Sequence, residues 1–283
     1  MFILATLACT DAAETGDSAT DDSAVPGDTS ETGDVGLLLT MSDGSTLDLT
    51  DTAQAGVEGA PAALTIDQAG TLSVGPGTWF VQLTATAPLT IRGTTGAILS
   101  GGGTGIVIDL PGPNTPLIVE DLEITGGYGC LGSAIRSGFF EGGICARDTV
   151  VAAANDITLR GVDIHHNVYE TGGGAVGVTE GSSVVVIDSN IRENDGHAVY
   201  GQMSDVSCTG STAAHAGFWA NTKYGVWVEI YDGSAHTITS DTCDFGVDAE
   251  SNGYEDVAIN TDLLVNYGDD ATFACSSTTN TCQ

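Results

Sequence analysis

Four short blocks of sequence recur at one fixed interval between residues 157 and 259, and this interval constrains the fold more than any local pattern does. Each block begins with a large apolar residue, and these first residues lie 27 positions apart: Ile164, Ile191, Phe218 and Phe245. A fixed period between 20 and 50 residues is typical of a solenoid, in which successive repeats stack on one another. The sequence therefore predicts an elongated stack of similar coils.

The apolar residues inside each repeat follow the pattern of short β-strands. The runs 157–159, 184–187 and 225–230 are rich in β-branched residues and are bounded by glycine, asparagine or aspartate. No window shows the spacing of a capped amphipathic helix. A repeat of about 27 residues accommodates three short strands, and stacked coils pair in parallel about 4.8 Å apart. We therefore predict an all-β solenoid with three strands per coil.

A second set of positions with the same step carries asparagine. Asn167, Asn194 and Asn221 end three of the blocks, and Asp248 ends the fourth. Stacked amides hydrogen-bond to one another along a column, and asparagine tolerates a tight corner. The period also predicts two further columns of neighbours, one formed by Val176, Met203, Ile230 and Val257, the other by Val199, Val226 and Gly253.

Two of these motifs resemble a known repeat. The segment 218–221, Phe-Trp-Ala-Asn, matches the FxxN half of the polymorphic outer membrane protein repeat, and the segment 173–176, Gly-Gly-Ala-Val, is similar to its GGAI half. More broadly, the coils resemble the right-handed parallel β-helix of the pectin-lyase-like superfamily, over residues 63–283. The resemblance implies a single-stranded right-handed parallel β-helix. It does not choose between lyases, hydrolases, adhesins and secreted passenger domains.

The composition is strongly acidic. Asp and Glu number 38 against 6 Lys and Arg, which gives a net charge of −32 at pH 7. Such a surface repels nucleic acid and anionic headgroups, so we expect no nucleic-acid partner and no direct membrane binding. It also disfavours anionic sugars unless Ca²⁺ bridges them.

The first 35 residues indicate export and tethering. Residues 1–8 are apolar, and the segment 7–9, Leu-Ala-Cys, resembles the end of a bacterial lipobox, which implies a short or atypical lipoprotein signal segment and lipidation of Cys9. Residues 9–35 are acidic and rich in Thr, Ser, Asp and Gly, and they predict a disordered tether. A chance apolar N-terminus is the alternative. We expect an outer-membrane or cell-surface location through a lipid anchor, or an extracellular one.

The remaining chain divides into a cap and the solenoid. Residues 36–62 predict an N-terminal cap, because the first coil would otherwise expose strand edges. Residues 63–283 predict the solenoid, with a looped-out insertion at about 126–148. Six cysteines remain after Cys9, and an even set in an exported chain predicts three disulfides. Proximity favours the pairs Cys130–Cys145 and Cys275–Cys282, which leaves Cys208–Cys243.

Aromatic side chains supply the candidate binding residues. The period places Tyr200, Trp227 and Tyr254 in one outward-facing row, and Trp219 lies beside it in another column. A row of exposed aromatic faces is suited to sugar rings. Ordinary cross-strand stacking that covers the sheet is the alternative.

Titratable side chains also share columns. His166 lies one period from Glu193, His165 lies one period from Arg192, and Glu170, His197 and Tyr224 form another column. A carboxylate beside an imidazole can carry out acid–base chemistry. Candidate catalytic residues are therefore His166, Glu193, Glu170, His197 and Arg192, although a polar turn explains the same pattern.

One loop resembles a calcium-binding loop. Asp248, Glu250, Asn252 and Asp256 supply oxygens around Gly253 in the pattern D-x-[DN]-x-[DN]-G, but Ile259 stands where a bidentate Glu belongs. These four residues are the candidate metal ligands, with Ca²⁺ as the candidate cofactor.

These observations favour binding over catalysis. We expect a monomeric surface or secreted protein with an adhesin-like role that binds polysaccharide or another component of the cell envelope. A polysaccharide lyase or glycoside hydrolase acting on an extracellular polysaccharide is the alternative. No complete catalytic signature of either class is present in the sequence.

Overall fold

A computed structural model describes residues 36–130, 132–137, 139–140, 150–151, 154–169, 173–179, 181–211, 216–230, 235–259, 263–265, 271–276 and 281–283. The structure is nearly all β and contains large, mostly parallel, strongly curled sheets. The predicted signal segment, Cys9 and the acidic tether lie outside the described residues.

The first large sheet has eleven strands, and its central members all pair in parallel. Its buried positions alternate with partly exposed ones, as expected for strands with one face on the core. In spatial order its strands are Thr46–Asp48, Leu37–Met41, Gly70–Val74, Leu89–Gly93, Leu117–Glu120, Asp156–Arg160, Ser183–Ile187, Asp205–Thr209, Thr237–Cys243, Ala271–Ser276 and Thr281–Cys282.

The second large sheet has fourteen strands and consists of two walls joined by one long strand, Gly77–Ala85. The first half of that strand pairs with Ala97–Ser100 and its second half with Ala62–Ile66 and Ile108–Leu110. Beyond Ala97–Ser100, one wall continues through Glu123–Thr125, Asp163–His165, Asn190–Arg192 and Gly217–Trp219. Beyond Ile108–Leu110, the other continues through Gly132–Ser137, Gly174–Val178, His197–Gln202, Val226–Glu229, Val257–Ile259 and Leu263–Val265.

Antiparallel strands close the first sheet at both ends and one wall of the second sheet at its C-terminal end. At the N-terminal end, Leu37–Met41 pairs antiparallel with Thr46–Asp48 and with Gly70–Val74. At the other end, Ala271–Ser276 and Leu263–Val265 pair antiparallel with the last strands of the two sheets. A five-residue helix, Thr50–Gln54, lies within the region predicted as a cap, although the sequence predicted no helix. These additions cover edges that could otherwise recruit another chain.

The predicted apolar column is present. Ile164 pairs in register with Ile191, and Ile191 with Phe218. The ring of Phe218 lies 5.6 Å from that of Phe245, and all four side chains are at most 1% exposed. Upstream, Ile124 extends the column. Burying each of these side chains contributes about 1.5–3 kcal/mol, so the column is a major source of stability.

An asparagine ladder runs beside this column, and its members are buried. The backbone N–H and side-chain amide of Asn167 both donate to Oδ1 of Asn194 at 3.0 Å. Asn194 makes the same pair of bonds to Asn221, and Asn221 makes it to Asn252. The ladder was predicted to continue at Asp248, and that prediction is wrong.

The cause is a change in corner length. Four more residues separate Asn221 from Asn252 than separate the other ladder members, and a 3₁₀ turn at Asp248–Glu250 lies within this longer corner. The same four-residue difference changes the predicted column of Val199, Val226 and Gly253, because Val226 pairs with Val257 and not with Gly253.

A second longer corner changes another predicted column. Val176 pairs with Val199, 23 residues on, and not with Met203. Nine positions separate Asn167 from Val176, whereas five separate Asn194 from Val199. The 27-residue period therefore holds for the apolar column and the first ladder members. In the wall that contains Val176 and Val199, corners of unequal length change the spacing between paired residues.

The predicted insertion at 126–148 is partly a strand of the core. Gly132–Ser137 pairs in parallel with strands on both sides, so this part is not looped out. Phe139–Phe140 pairs antiparallel with Val150–Val151. Cys130 is disulfide-bonded, and Cys145 lies outside the described residues. Two of the proposed pairs, Cys208–Cys243 and Cys275–Cys282, are disulfides in the structure.

We predict that Asn194→Ala lowers the free energy of unfolding by about 3 kcal/mol, because it takes the acceptor from the buried backbone N–H of Asn167 and removes hydrogen bonds to the side-chain amide of Asn167 and the carbonyl of Ile164. Chemical denaturation followed by circular dichroism measures the change. The matched control is Asn190→Ala in the same coil, where the side chain is only partly buried, and the loss should be below about 1 kcal/mol. Equal losses would show that the ladder is not a special source of stability.

Candidate functional site

Four aromatic rings form a cluster on the strands His197–Gln202 and Val226–Glu229 of the second sheet and on the corner just before the latter strand. The imidazole of His197 lies parallel to the ring of Tyr224, with centroids 5.2 Å apart, and the indole of Trp227 lies 4.7 Å from it at an angle. Tyr200 is the direct cross-strand neighbour of Trp227, with ring centroids 5.4 Å apart. We call His197, Tyr200, Tyr224, Trp227 and the adjacent Tyr254 the aromatic cluster.

The aromatic row predicted from the period is only partly correct. Tyr200 lies on the same face of the sheet as Trp227, but it is 1% exposed and therefore offers no surface to a ligand. Trp227 is half-buried, and its next neighbour in the sheet is Ala258 and not Tyr254. The longer corner places Tyr254 beside Tyr224 instead, at 5.3 Å, where it is 57% exposed. The accessible aromatic surface therefore consists of Tyr224, Trp227 and Tyr254.

A buried polar network supports the cluster from below. The hydroxyl of Tyr200 donates to Oε2 of Glu229 at 2.7 Å and accepts from the side-chain amide of Gln202 at 2.9 Å. All three side chains are buried. Because buried polar groups have a strong requirement for partners, this network fixes the ring of Tyr200 and, through it, the position of Trp227.

His197 is also fixed by hydrogen bonding. Its Nδ1 accepts from the backbone N–H of Tyr224 at 3.2 Å. The imidazole is fully buried, so the structure places this predicted catalytic residue under the ring of Tyr224 and away from solvent. His197 therefore positions an aromatic ring, and its proposed role in acid–base catalysis has no support from this geometry.

Charged groups lie near the aromatic rings. The ammonium group of Lys223 lies 4.4 Å from the centre of the ring of Tyr169. Burial raises the pKa of the Tyr224 hydroxyl, and the charge of Glu255 and then Tyr254 raise it further. Glu255 is half-buried, so its carboxylate is a hydrogen-bond acceptor at the edge of the aromatic surface.

A second surface, which we call the charged strip, lies on the first wall of the second sheet. Arg192 forms two hydrogen bonds with Asp163, at 3.0 and 2.7 Å, and one with Glu193 at 2.5 Å. Its guanidinium lies 5.3 Å from the centre of the ring of Trp219. Hydrogen bonding to Asp163 raises the pKa of Arg192, against the opposing effect of burial. Trp219 is half-buried beneath this pair, so it offers sugars less surface than predicted.

Two adjacent histidines complete the charged strip. Nε2 of His165 lies 2.8 Å from Oε1 of Glu123, and Nδ1 of His165 lies 2.5 Å from Nδ1 of His166. Nε2 of His166 lies 3.9 Å from Oε2 of Glu193. The structure therefore brings together three predicted catalytic candidates, His166, Arg192 and Glu193. Glu170 lies outside the described residues.

Backbone geometry explains why His166 and Glu193 are exposed. His166, Glu193 and Ala220 each precede a ladder asparagine and adopt a positive φ of 52°, 52° and 54°. This left-handed conformation turns the chain at the corner and directs the next amide into the core. Three successive coils share this conformation, whereas Ser251, which precedes Asn252 in the longer corner, is extended with φ of −61°.

The calcium-binding loop is not assembled as predicted. Oδ1 of Asn252 accepts two hydrogen bonds from Asn221, and both Asn252 and Asp256 are buried, whereas Asp248 and Glu250 are exposed on the 3₁₀ turn. Among the residues that the structure describes, no group of three or more His, Cys, Asp or Glu side chains is arranged to hold a metal ion. The structure gives a calcium site at this loop no support.

One residue of the aromatic cluster, Tyr224, was not among the predicted site residues, and the nearby Glu255 was not predicted either. The stacking of Tyr224 on His197 follows from their spacing of one period, but Tyr224 was not chosen as a binding residue. The proximity of Glu255 and Tyr254 to Tyr224 had no signal in the period, because it depends on the length of the corner at 248–252.

Comparisons with known protein families, with curated proteins and with solved structures found no match to this chain. Across the described ranges, no helix combines the length and the apolar character needed to cross a membrane. The aromatic cluster and the charged strip are therefore the basis for inferring a function.

We predict that Glu255→Gln lowers the raised pKa of Tyr224, because it removes the negative charge that disfavours the phenolate. NMR titration of ¹³C-labelled tyrosine above pH 9 measures the shift, and Tyr224→Phe assigns the signal. Since the folded-state pKa lies above the ordinary value of about 10, the stability associated with this group falls as pH rises beyond that value. Glu58→Gln, at an exposed site, is the control. An unchanged Tyr224 titration in Glu255→Gln would contradict the contact.

Proposed function

We propose that this chain is a right-handed parallel β-helix of the pectin-lyase-like type that serves as a glycan-binding, adhesin-like protein. The in-register parallel columns, the asparagine ladder and the joining of two walls through Gly77–Ala85 support the β-helix. The antiparallel strands at both ends of the first sheet protect the edges that a stack of coils would otherwise expose.

The aromatic cluster is the observation that carries the binding function. Tyr254 is 57% exposed and contacts the half-buried ring of Tyr224, which in turn stacks on His197. Aromatic rings that are already held by packing lose little conformational freedom when a ligand binds. They present flat apolar faces to the C–H faces of a sugar, while their hydroxyl groups can hydrogen-bond to its hydroxyls.

The negative charge of the chain favours neutral glycans over anionic ones as ligands. The carboxylate of Glu255 acts on the hydroxyl of Tyr224, the ammonium of Lys223 lies over the ring of Tyr169, and the chain as a whole has a net charge of −32. An acidic surface repels polyuronates, so neutral polysaccharides are the proposed ligands. Uronic acid polymers bind only if Ca²⁺ bridges the two sets of carboxylates.

Presentation at the cell surface or in the extracellular space is part of the proposal. The disulfides Cys208–Cys243 and Cys275–Cys282 are typical of an oxidising compartment. A lipidated Cys9 followed by an acidic tether would hold the binding surface away from the membrane.

The aromatic cluster predicts that Tyr254→Ala weakens binding to a neutral polysaccharide by about tenfold, because one stacked ring contributes about 1 kcal/mol or more. A glycan array identifies the ligand, and titration calorimetry then measures Kd for the wild type and the variant. Tyr128→Ala is the matched control, since Tyr128 is an exposed tyrosine on another part of the surface.

Three outcomes of this experiment bear on the proposal. Retention of a neutral glycan that weakens in Tyr254→Ala but not in Tyr128→Ala supports it. Binding that is equal in both variants contradicts the assignment of the site. Depletion of an oligosaccharide panel, abolished by Glu193→Ala, would establish instead the alternative of a polysaccharide lyase or glycoside hydrolase that uses the charged strip.

A further inference from the structure

We propose that His165 and His166 form a chelating site for a divalent first-row transition metal ion, such as Zn²⁺, Cu²⁺ or Ni²⁺. The two Nδ1 atoms point at each other, 2.5 Å apart, on the solvent-facing charged strip. This site shares no residue with the aromatic cluster, so metal binding and glycan binding can be tested independently.

The protonation pattern of His165 follows from its partner. An ionised carboxylate accepts hydrogen bonds and donates none. The 2.8 Å contact with Glu123 therefore places a proton on Nε2 of His165. In the neutral imidazole the other nitrogen, Nδ1, then carries a lone pair. That lone pair accepts the hydrogen bond from Nδ1 of His166, so a metal ion held by both rings takes the place of the proton on that nitrogen, which moves to Nε2 of His166.

The contact with Glu123 also has the form of an outer-sphere contact in a metal site. Histidine ligands commonly donate their second ring N–H to a carboxylate, which fixes the ring and makes the ligating nitrogen more basic. His166 repeats the arrangement less tightly, since its Nε2 lies 3.9 Å from Oε2 of Glu193. Both rings thus have a carboxylate on the Nε2 side and their Nδ1 atoms on the facing side.

The geometry needs only a small adjustment to admit an ion. Zn–N bonds of about 2.0–2.1 Å at a tetrahedral angle separate the two nitrogens by about 3.3 Å. The side chain of His166 is 66% exposed, so its ring can rotate outward without disturbing the core. The ring of His165 is 14% exposed and is held by Glu123, so it provides the fixed half of the chelate.

Local charge favours a cation. Glu123, Asp163 and Glu193 carry three negative charges within the charged strip, against one positive charge on Arg192. The surrounding chain is acidic as well, which raises the local concentration of divalent cations. Imidazole nitrogen selects zinc, copper and nickel over calcium, which prefers oxygen ligands.

The site has two protein ligands and is open. Because no third His, Cys, Asp or Glu joins the pair within the described part of the chain, the remaining coordination positions belong to water or to an external ligand. Affinity is therefore expected to follow the copper-over-zinc order that is typical of imidazole sites.

Competition against a chromogenic chelator tests the site with Zn²⁺ and Cu²⁺ on the full, untagged, disulfide-bonded chain after removal of bound metal. The wild type should bind one equivalent that is lost or weakened by at least about tenfold in His165→Gln and in His166→Asn. Asparagine is chosen at 166 because it tolerates the positive φ there. Glu123→Gln should weaken binding by about tenfold, as expected for an outer-sphere partner.

His236→Gln is the matched control, since His236 also lies near a carboxylate, that of Asp205, but has no second histidine beside it in sequence. Its metal affinity should equal that of the wild type. Electron paramagnetic resonance of the Cu²⁺ complex should show coupling to two nitrogens, falling to one or none in His166→Asn. Absence of binding in the wild type, or equal binding in both histidine variants and the wild type, would overturn the proposal.

Discussion

The in-register stacking of buried amides is the interaction on which the rest of the structure depends. Asn194 and Asn221 each accept two hydrogen bonds from the asparagine of the previous coil and donate two to the next, so a shift of one residue would leave several buried groups without partners. The adjacent apolar column tolerates small errors in packing, but the ladder does not. The ladder therefore sets the vertical register, and the left-handed residue before Asn167, Asn194 and Asn221 sets the direction of those three corners.

The predictable part of the fold is the part where corner length is constant. Ile164, Ile191 and Phe218 share a column because the chain between them has the same length each time. Val176 and Val199 are only 23 residues apart, yet they are neighbours. A period applied uniformly cannot place them together, because turns of different length cost little and leave the strands unchanged.

The same physics explains which parts of the surfaces were predictable. Columns inside the constant region brought His166 to Glu193 and His165 to Arg192. The aromatic cluster depends on the longer corner after Phe245. Because of this corner, Tyr254 lies outside the predicted row, and Asn252 takes the ladder position that was predicted for Asp248. The period also does not predict burial: Tyr200 shares a face with Trp227 but is buried, with its hydroxyl hydrogen-bonded to Glu229.

Directed cross-linking tests the claim of equal vertical steps most directly. Thr158 pairs with Val185 in the first sheet, and Ser183 lies two positions out of register with Thr158. Parallel neighbours lie about 4.8 Å apart, within the range for a disulfide, whereas a two-residue offset exceeds it. After mild oxidation and peptide mapping, Thr158→Cys with Val185→Cys should form the cross-link and Thr158→Cys with Ser183→Cys should not. Preferential cross-linking of the second pair would contradict the stacked register.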